Sequence, residues 1–318
     1  MQATPLTALL GSRYPIVQAP MGLIATADFA SRVSNAGGFG LVGVGLGTAA
    51  QVEAELIKMR TLTDRPFGVN VALAFLRDPD AVRVIREYGV KFVTTSAGDP
   101  AKLTPVLKEA GITVFHVVPN LKAAQKALDA GVDGLVVEGG EGGGFKNPDL
   151  VSTMVLVPLI RDHTDRPIVA AGGICDGRGM AAALALGADG IQMGTRFVCS
   201  LEAPVHDNWK QAIVGSDDTG TVVLKPNARQ AVRTMKTQRT QALAAKGEFD
   251  LADELSHAQD LYFGGNMEGG IALSGQVGGR IGDVKSIAAI IEDIVAEYDA
   301  TVARFTPLAA SAPNRLAS

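Results

Sequence analysis

The feature that most constrains this sequence is an alternation, repeated eight times, between a short apolar run and a segment with helical spacing. The apolar runs are residues 14–20, 39–44, 67–73, 92–96, 113–118, 134–137, 168–171 and 190–197. Continuous apolar runs of this length are typical of strands that are buried on both faces. Several helical segments end in a glycine just before the next run, as at Gly111, Gly131 and Gly187. Eight strand–helix units with parallel strands predict a closed (β/α)8 TIM barrel.

The regular alternation stops after residue 199. The segment that follows carries polar, charged helical patterns over residues 229–244 and 251–260 and no clear strand, which predicts a mainly helical insertion after strand 8. We expect this insertion to form a lid over the barrel mouth. The predicted parts are a barrel of residues 1–199 and 283–306, an insertion of residues 200–282 and a flexible, Ala/Ser/Pro-rich tail of residues 307–318.

The composition argues against several classes of protein. The net charge is −4 and no block of Lys and Arg occurs, so a nucleic-acid partner is not expected. No apolar run reaches the roughly 18 residues of a membrane helix, and the first residues lack the pattern of a secretion signal. Cys175 and Cys199 form neither a disulfide framework nor a spaced metal set. We therefore expect a cytoplasmic protein with a small-molecule substrate and no metal; a homodimer is left open.

Glycine is unusually abundant after the last strands. It accounts for 37 of the 318 residues, against about 7% in typical proteins. In a parallel barrel the functional face is the carboxyl end of the strands, and phosphate groups bind there at the loops after strands 7 and 8. Those loops carry Ala171, Gly172 and Gly173, then Gly194 and Thr195, and the loop after strand 6 carries residues 139–144. These glycines predict a phosphate site, although tight turns alone would also require them.

A phosphate site does not distinguish a flavin from a sugar phosphate. Pro20, Met21 and Gly22, which follow strand 1, can offer backbone groups to a planar heterocycle over the barrel mouth. Asn70, in strand 3, is placed to bind an isoalloxazine edge or, alternatively, to cap a loop. These segments favour a flavin.

The chain resembles the nitronate monooxygenase (2-nitropropane dioxygenase) family, which includes flavin-dependent enoyl-acyl-carrier-protein reductases. The matching segments are residues 15–22, 34–38, 64–70, 170–179, 182–197 and 275–276. The resemblance implies an FMN-binding barrel. The residues that it assigns to FMN are Pro20, Met21, Gly22, Asn70, Gly142, Gly143, Gly144, Ala171, Gly172, Gly173, Gly194 and Thr195.

One departure from the family pattern affects the expected chemistry. After strand 6 the family has Glu-x-Gly-Gly-His, whereas this chain reads Glu141-Gly142-Gly143-Gly144-Phe145. Phenylalanine cannot transfer a proton, and the loss of a general base typically costs about 10²–10⁴-fold where proton abstraction is needed. We expect weak activity on neutral nitroalkanes, since these must first lose a proton, and less effect on a preformed nitronate.

The chain offers a few other polar residues that could replace that histidine. His116 lies in strand 5 on the face opposite Phe115 and is predicted to lie between barrel and helices. His206, near the exit of strand 8, and Gln276 are weak candidates for the site. Glu138 and Glu141 could form an acid–base pair or hold a ribityl hydroxyl; alternatively, Glu141 orders its own glycine loop.

The sequence favours an FMN-dependent oxidoreductase that oxidises nitronates or reduces an organic acceptor, with NAD(P)H or oxygen as a further reactant. One alternative is a flavin-dependent reductase of enoyl or CoA thioesters or of quinones, because residues 265–276 resemble a subgroup that acts on CoA thioesters of ring fragments. Two others are a flavin-binding protein without turnover and a phosphate-binding lyase or isomerase without flavin.

Overall fold

The computed structural model of the protein describes residues 3–44, 47–228 and 230–310. Its strands are β1 (Ile16–Gln18), β2 (Gly40–Gly43), β3 (Phe67–Ala72), β4 (Phe92–Ser96), β5 (Thr113–Val118), β6 (Gly134–Glu138), β7 (Gly144–Lys146), β8 (Ile168–Ala171), β9 (Gly190–Met193), β10 (Thr221–Asn227) and β11 (Gln230–Met235). Eight parallel strands form one sheet in the order β1-β9-β8-β6-β5-β4-β3-β2. A parallel bridge between Val17 and Phe39 joins its two ends. The predicted TIM barrel is therefore confirmed.

Helices alternate with the barrel strands in the outer layer, and further helices precede the first strand or lie in the insertion. They are α1 (Pro5–Leu10), α2 (Ala27–Asn35), α3 (Ala49–Leu62), α4 (Asp80–Glu87), α5 (Thr104–Glu109), α6 (Leu121–Asp129), α7 (Thr153–Arg161), α8 (Gly177–Ala185), α9 (Thr195–Val198), α10 (Asp207–Val214), α11 (Gln238–Lys246), α12 (Leu251–Ser256), α13 (Ala258–Tyr262) and α14 (Ile287–Ala310). Thr26, Thr48, Asn120 and Asp176 cap the N-termini of α2, α3, α6 and α8 by accepting backbone N–H groups. These four helices thus start where a polar residue ends the preceding loop.

The barrel interior is filled by aromatic and aliphatic side chains. The rings of Phe39, Phe92 and Phe115 pack in succession, with centroids 5.2 and 5.0 Å apart. Gly134 leaves room for them, because a Cβ there would lie 2.3 Å from the Phe115 ring. Leu6 and Leu10 of α1 belong to the same buried cluster and close the floor of the barrel. The opposite end, where the strands terminate, is the open mouth.

The insertion after β9 contains a β-hairpin that the sequence analysis missed. β10 and β11 pair in antiparallel fashion, and β11 also pairs with β7 from the loop after β6. The helical pattern predicted over residues 229–244 is therefore wrong for Gln230–Met235, although α11 and α12 confirm helices further on. A small core lies beneath the hairpin and is formed by Leu224, Val232, Leu251 and Ile271.

The hairpin escaped prediction because its strands contain polar residues, among them the buried Arg233 and Thr234, and because its third strand comes from a distant part of the chain. The apolar run 190–197 also proved to be two elements, since β9 ends at Met193 and α9 begins at Thr195.

The last helix, α14, extends to Ala310, within the segment 307–318 that was predicted to be flexible. Residues 311–318 lie outside the described residues. Within the described ranges, no helix is long and apolar enough to cross a bilayer.

Candidate active site at the barrel mouth

Glycine-rich loops from separate strands meet at the mouth. The N–H of Gly139, after β6, donates to the carbonyl of Ala171 at the end of β8 over 2.9 Å. The N–H of Gly275 donates over 2.9 Å to the hydroxyl of Thr195, which follows β9. A Cβ on Gly143 would lie 2.7 Å from the backbone of Ser274. The segments expected to hold a phosphate are thus brought together, and the 274–276 segment from the insertion completes them.

Two glycines after β8 adopt a backbone that side chains disfavour. Gly172 and Gly173 have φ angles of +94° and +74°, in the left-handed region. A Cβ on Gly172 would lie 3.0 Å from the carbonyl oxygen of Gly139, and one on Gly173 would lie 3.3 Å from the Cβ of Glu141. The loop is therefore restricted to glycine by both conformation and space, and a ligand can approach its backbone closely.

The loop after β1 lies beside these glycines. The N–H of Ala19 donates to the carbonyl of Met193 over 2.8 Å, which holds the start of the loop against β9. A Cβ on Gly194 would lie 3.6 Å from the Sδ of Met21. The side chain of Met21 therefore borders the loop that contains Gly194 and Thr195.

Asn70 faces the barrel interior just below the mouth. It is buried, with 4% of its surface exposed, and lies beside Thr94 in the register of β3 and β4. Its side-chain nitrogen donates to the hydroxyl of Thr94 over 2.8 Å, which fixes the orientation of the amide. A fixed amide is suited to recognise the edge of a planar ligand.

Two buried polar atoms beside the β9 loop have no hydrogen-bond partner among the described residues. They are the Oε1 of Gln192, which points inward in register with Ala171, and the Nε of Arg196. The rest of the Arg196 guanidinium is bound, with Nη1 2.8 Å from a carboxylate oxygen of Asp283. An unpaired buried donor or acceptor costs about 1–3 kcal/mol, so each is expected to have a partner in the functional state. An acceptor and a cationic donor that flank Gly194 suit a ligand with an N–H group and a phosphate.

The loop after β6 places an ion pair at the mouth. Glu138 ends β6 with its side chain in register with Ala171, and its carboxylate accepts from the Nζ of Lys146 at 2.6 Å. Only 3% of the Lys146 side chain is exposed, against 26% for Glu138. Glu138 therefore faces the open mouth while Lys146 holds it from within the protein. The sequence analysis did not single out Lys146.

The second carboxylate of this loop has a structural role. Glu141 accepts from the backbone N–H of Thr153 at 3.0 Å and from its hydroxyl at 3.0 Å. Thr153 is the first residue of α7, where a negative charge is favourable. These bonds hold the glycine loop against the N-terminus of α7, so Glu141 acts through Thr153 and not through the N–H groups of its own loop as expected.

Phe145 lies at the rim of the mouth. Its ring is 37% exposed and packs against Phe75, with centroids 5.2 Å apart and an angle of 46° between the rings. Its backbone is fixed by pairing with Val232 of β11. The position expected to carry the family histidine therefore presents an apolar surface, beside which Phe75 is a further residue that sequence reasoning missed.

All four histidines lie within the described residues, and none is hydrogen-bonded to the mouth loops. His116 is buried between barrel and helices and its Nδ1 lies 2.7 Å from the hydroxyl of Thr95, which confirms its predicted location. Burial lowers the pKa of His116 to about 4. His163 contacts the carbonyl of Leu159, and His257 lies between α12 and α13.

The weak candidates His206 and Gln276 differ in position. The Nδ1 of His206 accepts from the N–H of Asn208 at 3.1 Å and so caps α10. The backbone N–H of Gln276 donates to the carbonyl of Glu141 over 2.9 Å, and its side chain is exposed. Gln276 is thus part of the mouth, whereas the contacts of His206 are with the insertion.

A cofactor rather than a metal fits these residues. Within the described ranges, no group of three or more His, Cys, Asp or Glu side chains could hold a metal ion. Burial raises the pKa of the Cys175 thiol, next to the β8 loop, to about 11, so it is a packed side chain rather than a nucleophile. The mouth offers backbone N–H groups, an unpaired amide oxygen and an arginine, which are the groups that bind a phosphorylated heterocycle.

The chain is similar to several known proteins. The sequence pattern of the nitronate monooxygenase family matches residues 3–81 and 76–297. A dehydrogenase of (3aS,4S,5R,7aS)-5-hydroxy-7a-methyl-1-oxo-octahydro-1H-indene-4-carboxyl-CoA from Mycobacterium tuberculosis is 32% identical, over 92% of this chain and 95% of its own. A nitronate monooxygenase from Paraburkholderia phytofirmans is 32% identical, over 74% and 77%. The structure of FabK from Thermotoga maritima has 36% identity and a TM-score of 0.92, over 97% and 100%.

Proposed function

The chain belongs to the nitronate monooxygenase family of flavoenzymes, and from this premise we propose that it is an FMN-dependent oxidoreductase that reduces an unsaturated organic acyl thioester. The observation that carries the proposal is the convergence at one mouth of the glycine loops after β6, β8 and β9. Beside them lie the unpaired Oε1 of Gln192 and Nε of Arg196. An FMN molecule supplies the type of partner that both atoms lack.

The residues assigned to FMN have separable roles in this proposal. Gly172, Gly173 and Gly194 leave their backbone N–H groups accessible to the phosphate, with Arg196 as a nearby positive charge. Asn70 and Gln192 orient the heterocycle from within the barrel. Bound FMN would supply hydride and single-electron chemistry, which no side chain of the mouth can provide.

Two observations favour an acyl thioester as the substrate. Phe145 and the positions of the four histidines leave the mouth without an imidazole base, which disfavours reactions that begin by removing a proton from carbon. The relative that covers nearly the whole chain acts, by its name, on a CoA thioester. We expect weak activity on neutral nitroethane and, by contrast, measurable activity on its preformed nitronate.

The purified protein provides the first test. We expect a yellow protein whose visible spectrum is that of an oxidised flavin and which releases one FMN per chain on denaturation. Reduction by NADH or NADPH without oxygen, followed by reoxidation with an enoyl-CoA thioester, would support the reaction class. A colourless protein that does not bind added FMN would contradict the cofactor, and rapid turnover of neutral nitroethane would contradict the assignment of the substrate class.

A further inference from the structure

The rings of Phe75 and Phe145 form an aromatic bridge over one side of the barrel mouth. Phe75 lies in the short helix that follows β3, and Phe145 lies in β7, after β6. In the barrel order, β4 and β5 lie between β3 and β6. Because the two rings are in contact, they meet above the ends of β4 and β5. The aromatic bridge therefore covers the part of the mouth that is remote from the β8 and β9 loops.

Both rings are attached to ordered backbone. Phe145 pairs with Val232 in the three-stranded sheet, so the hairpin of the insertion holds it in place. On the other side, the N–H of Ala74 donates to the carbonyl of Ala97 over 2.9 Å. Leu73 packs closely on the loop after β4, since a Cβ added to Gly98 would lie 2.5 Å from the Cβ of Leu73. The two sides of the aromatic bridge are thus fixed independently.

The surface of the aromatic bridge is apolar and partly open. Phe145 is 37% exposed and Phe75 is half-buried. Val117, the last side chain of β5 that faces the barrel interior, is half-buried as well and packs on the interior cluster. Apolar surface left in water is stabilised when a ligand covers it, by about 25 cal/mol per Å². An apolar ligand group between Val117 and the aromatic bridge would gain this stabilisation.

We propose that Phe75, Phe145 and Val117 form the pocket for the acyl group of the substrate and select a bulky, ring-shaped acyl group over a short one. The proposal rests on the proposed function, since it assumes a thioester substrate beside a flavin. Two rings inclined at 46° present surfaces that a six-membered ring can contact together, and a two-carbon acyl group would cover less of this apolar surface. Each additional methylene group that a substrate buries in this pocket should increase its affinity about fourfold.

The experiment compares two thioesters that differ only in the acyl group. The flavin-loaded, full-length protein is titrated with benzoyl-CoA and with acetyl-CoA, and binding is followed by the change in the visible spectrum of the bound flavin. Because both probes carry the same CoA, the ratio of their dissociation constants reports on the acyl pocket alone. The variants are Phe75→Ala, Phe145→Ala and the double substitution, with Phe145→Leu as a variant that keeps apolar bulk.

We expect the parent protein to bind benzoyl-CoA at least tenfold more tightly than acetyl-CoA. Phe75→Ala and Phe145→Ala should each weaken benzoyl-CoA binding about tenfold and change acetyl-CoA binding less than twofold. The double variant should lose less than the product of the two effects, because the two rings contact each other and each supports the position of the other. Phe145→Leu should retain part of the preference.

Phe305→Ala provides a matched control. It removes a ring that is 61% exposed on α14, a helix of the outer layer that packs against α2 and α8. This control should leave both dissociation constants unchanged. A yellow parent protein that binds no benzoyl-CoA, or that shows no preference for it, would overturn the proposal; so would equal losses for both thioesters in the bridge variants. A protein that binds no flavin would instead contradict the proposed function.

Discussion

The two sides of the barrel mouth are built from different parts of the polypeptide. On the side of β8 and β9 the surface is backbone, since Gly172, Gly173 and Gly194 leave no side chain between the main chain and a ligand. On the side of β3 and β6 the surface is made by the side chains of Phe75, Phe145 and the Glu138–Lys146 pair. Backbone N–H groups can recognise an anion whatever the neighbouring sequence, whereas side chains determine which substrate fits. In the proposed function, the phosphate of the cofactor would lie on the backbone side, and the acyl group of the substrate would lie on the side-chain side.

The largest effect is expected when a side chain is added to the backbone side. Gly173→Ala forces a left-handed φ of +74° on alanine and brings a Cβ to 3.3 Å from that of Glu141. We expect FMN affinity to fall by two orders of magnitude or more, because the loop must move to relieve the strain. Titration of the FMN-free protein with FMN, followed by quenching of the flavin fluorescence, measures the change.

Gly111→Ala is the matched control for this prediction. Gly111 has a similar φ of +69° at the end of α5, and nothing lies within 4 Å of a Cβ at that position. Its substitution should therefore cost stability through backbone strain but leave FMN affinity unchanged. If both variants lost FMN equally, general destabilisation would explain the result and the comparison between the two sides would fail.

On the side-chain side, Lys146→Met tests the ion pair. The substitution keeps the length of the side chain but leaves the carboxylate of Glu138 without its partner at 2.6 Å. Because Glu138 is 26% exposed and water can solvate it, we expect a loss of about 2 kcal/mol in the free energy of unfolding rather than the full cost of a buried charge. FMN affinity should change less than in Gly173→Ala. Urea unfolding of the FMN-free protein measures the stability.

The double variant with Glu138→Gln separates charge from packing. Removal of both charges should recover most of the stability that Lys146→Met loses, since no unpaired carboxylate remains. A double variant as unstable as Lys146→Met would show that the lysine stem packs the loop and that the charge matters little.

The third prediction concerns the protonation of His116, which lies on neither side of the mouth. Burial lowers the pKa of His116 to about 4, below the value of about 6.5 in the unfolded chain. The unfolded state therefore binds the extra proton between these values, so stability is fully present above about pH 6.5 and falls toward pH 4. We expect His116→Gln to reduce the slope over this range by up to about 1.4 kcal/mol per pH unit.

Urea unfolding of the parent and of His116→Gln at several pH values measures the two slopes. The difference in stability between the two proteins at pH 8 gives the effect of the lost contact with Thr95 and is subtracted. An unchanged slope would mean that the loss of stability in acid arises elsewhere.

The smallest effect is expected at Gln192, between the two sides. Gln192→Leu removes a buried amide oxygen that has no partner among the described residues. The FMN-free protein should be as stable as the parent or slightly more stable, while FMN affinity should fall about fivefold, the value of one hydrogen bond of about 1 kcal/mol. Opposite changes in the two measurements are the signature of a group whose partner is the cofactor. Loss of stability without loss of FMN affinity would contradict this role.

The sequence predicted the half of the site that depends on local pattern. The barrel follows from apolar runs and helix terminators, and the loops at Gly172 and Gly194 follow directly from their strands. Gln192 could have been found in the same way, because the alternation in β9 places it on the interior face with Gly190.

The other half depends on contacts between distant segments, which local patterns do not encode. Lys146 reads as an exposed loop residue until β7 pairs with β11 and buries it. Phe75 follows β3 without any motif, and its meeting with Phe145 depends on the barrel order. The hairpin itself was missed for the same reason.

The register between β7 and β11 determines which side chain of β7 is exposed at the rim of the mouth. Neighbouring residues of a strand point to opposite faces, and here Phe145 stands opposite Val232 while Lys146 stands opposite Ala231. A shift of one position would exchange the outward ring for the lysine. One deleted or inserted residue in this loop could therefore convert an apolar rim into a cationic one, with no substitution elsewhere and no change in the loops after β8 and β9. The hairpin is thus a point at which related barrels could diverge in substrate by length rather than by composition.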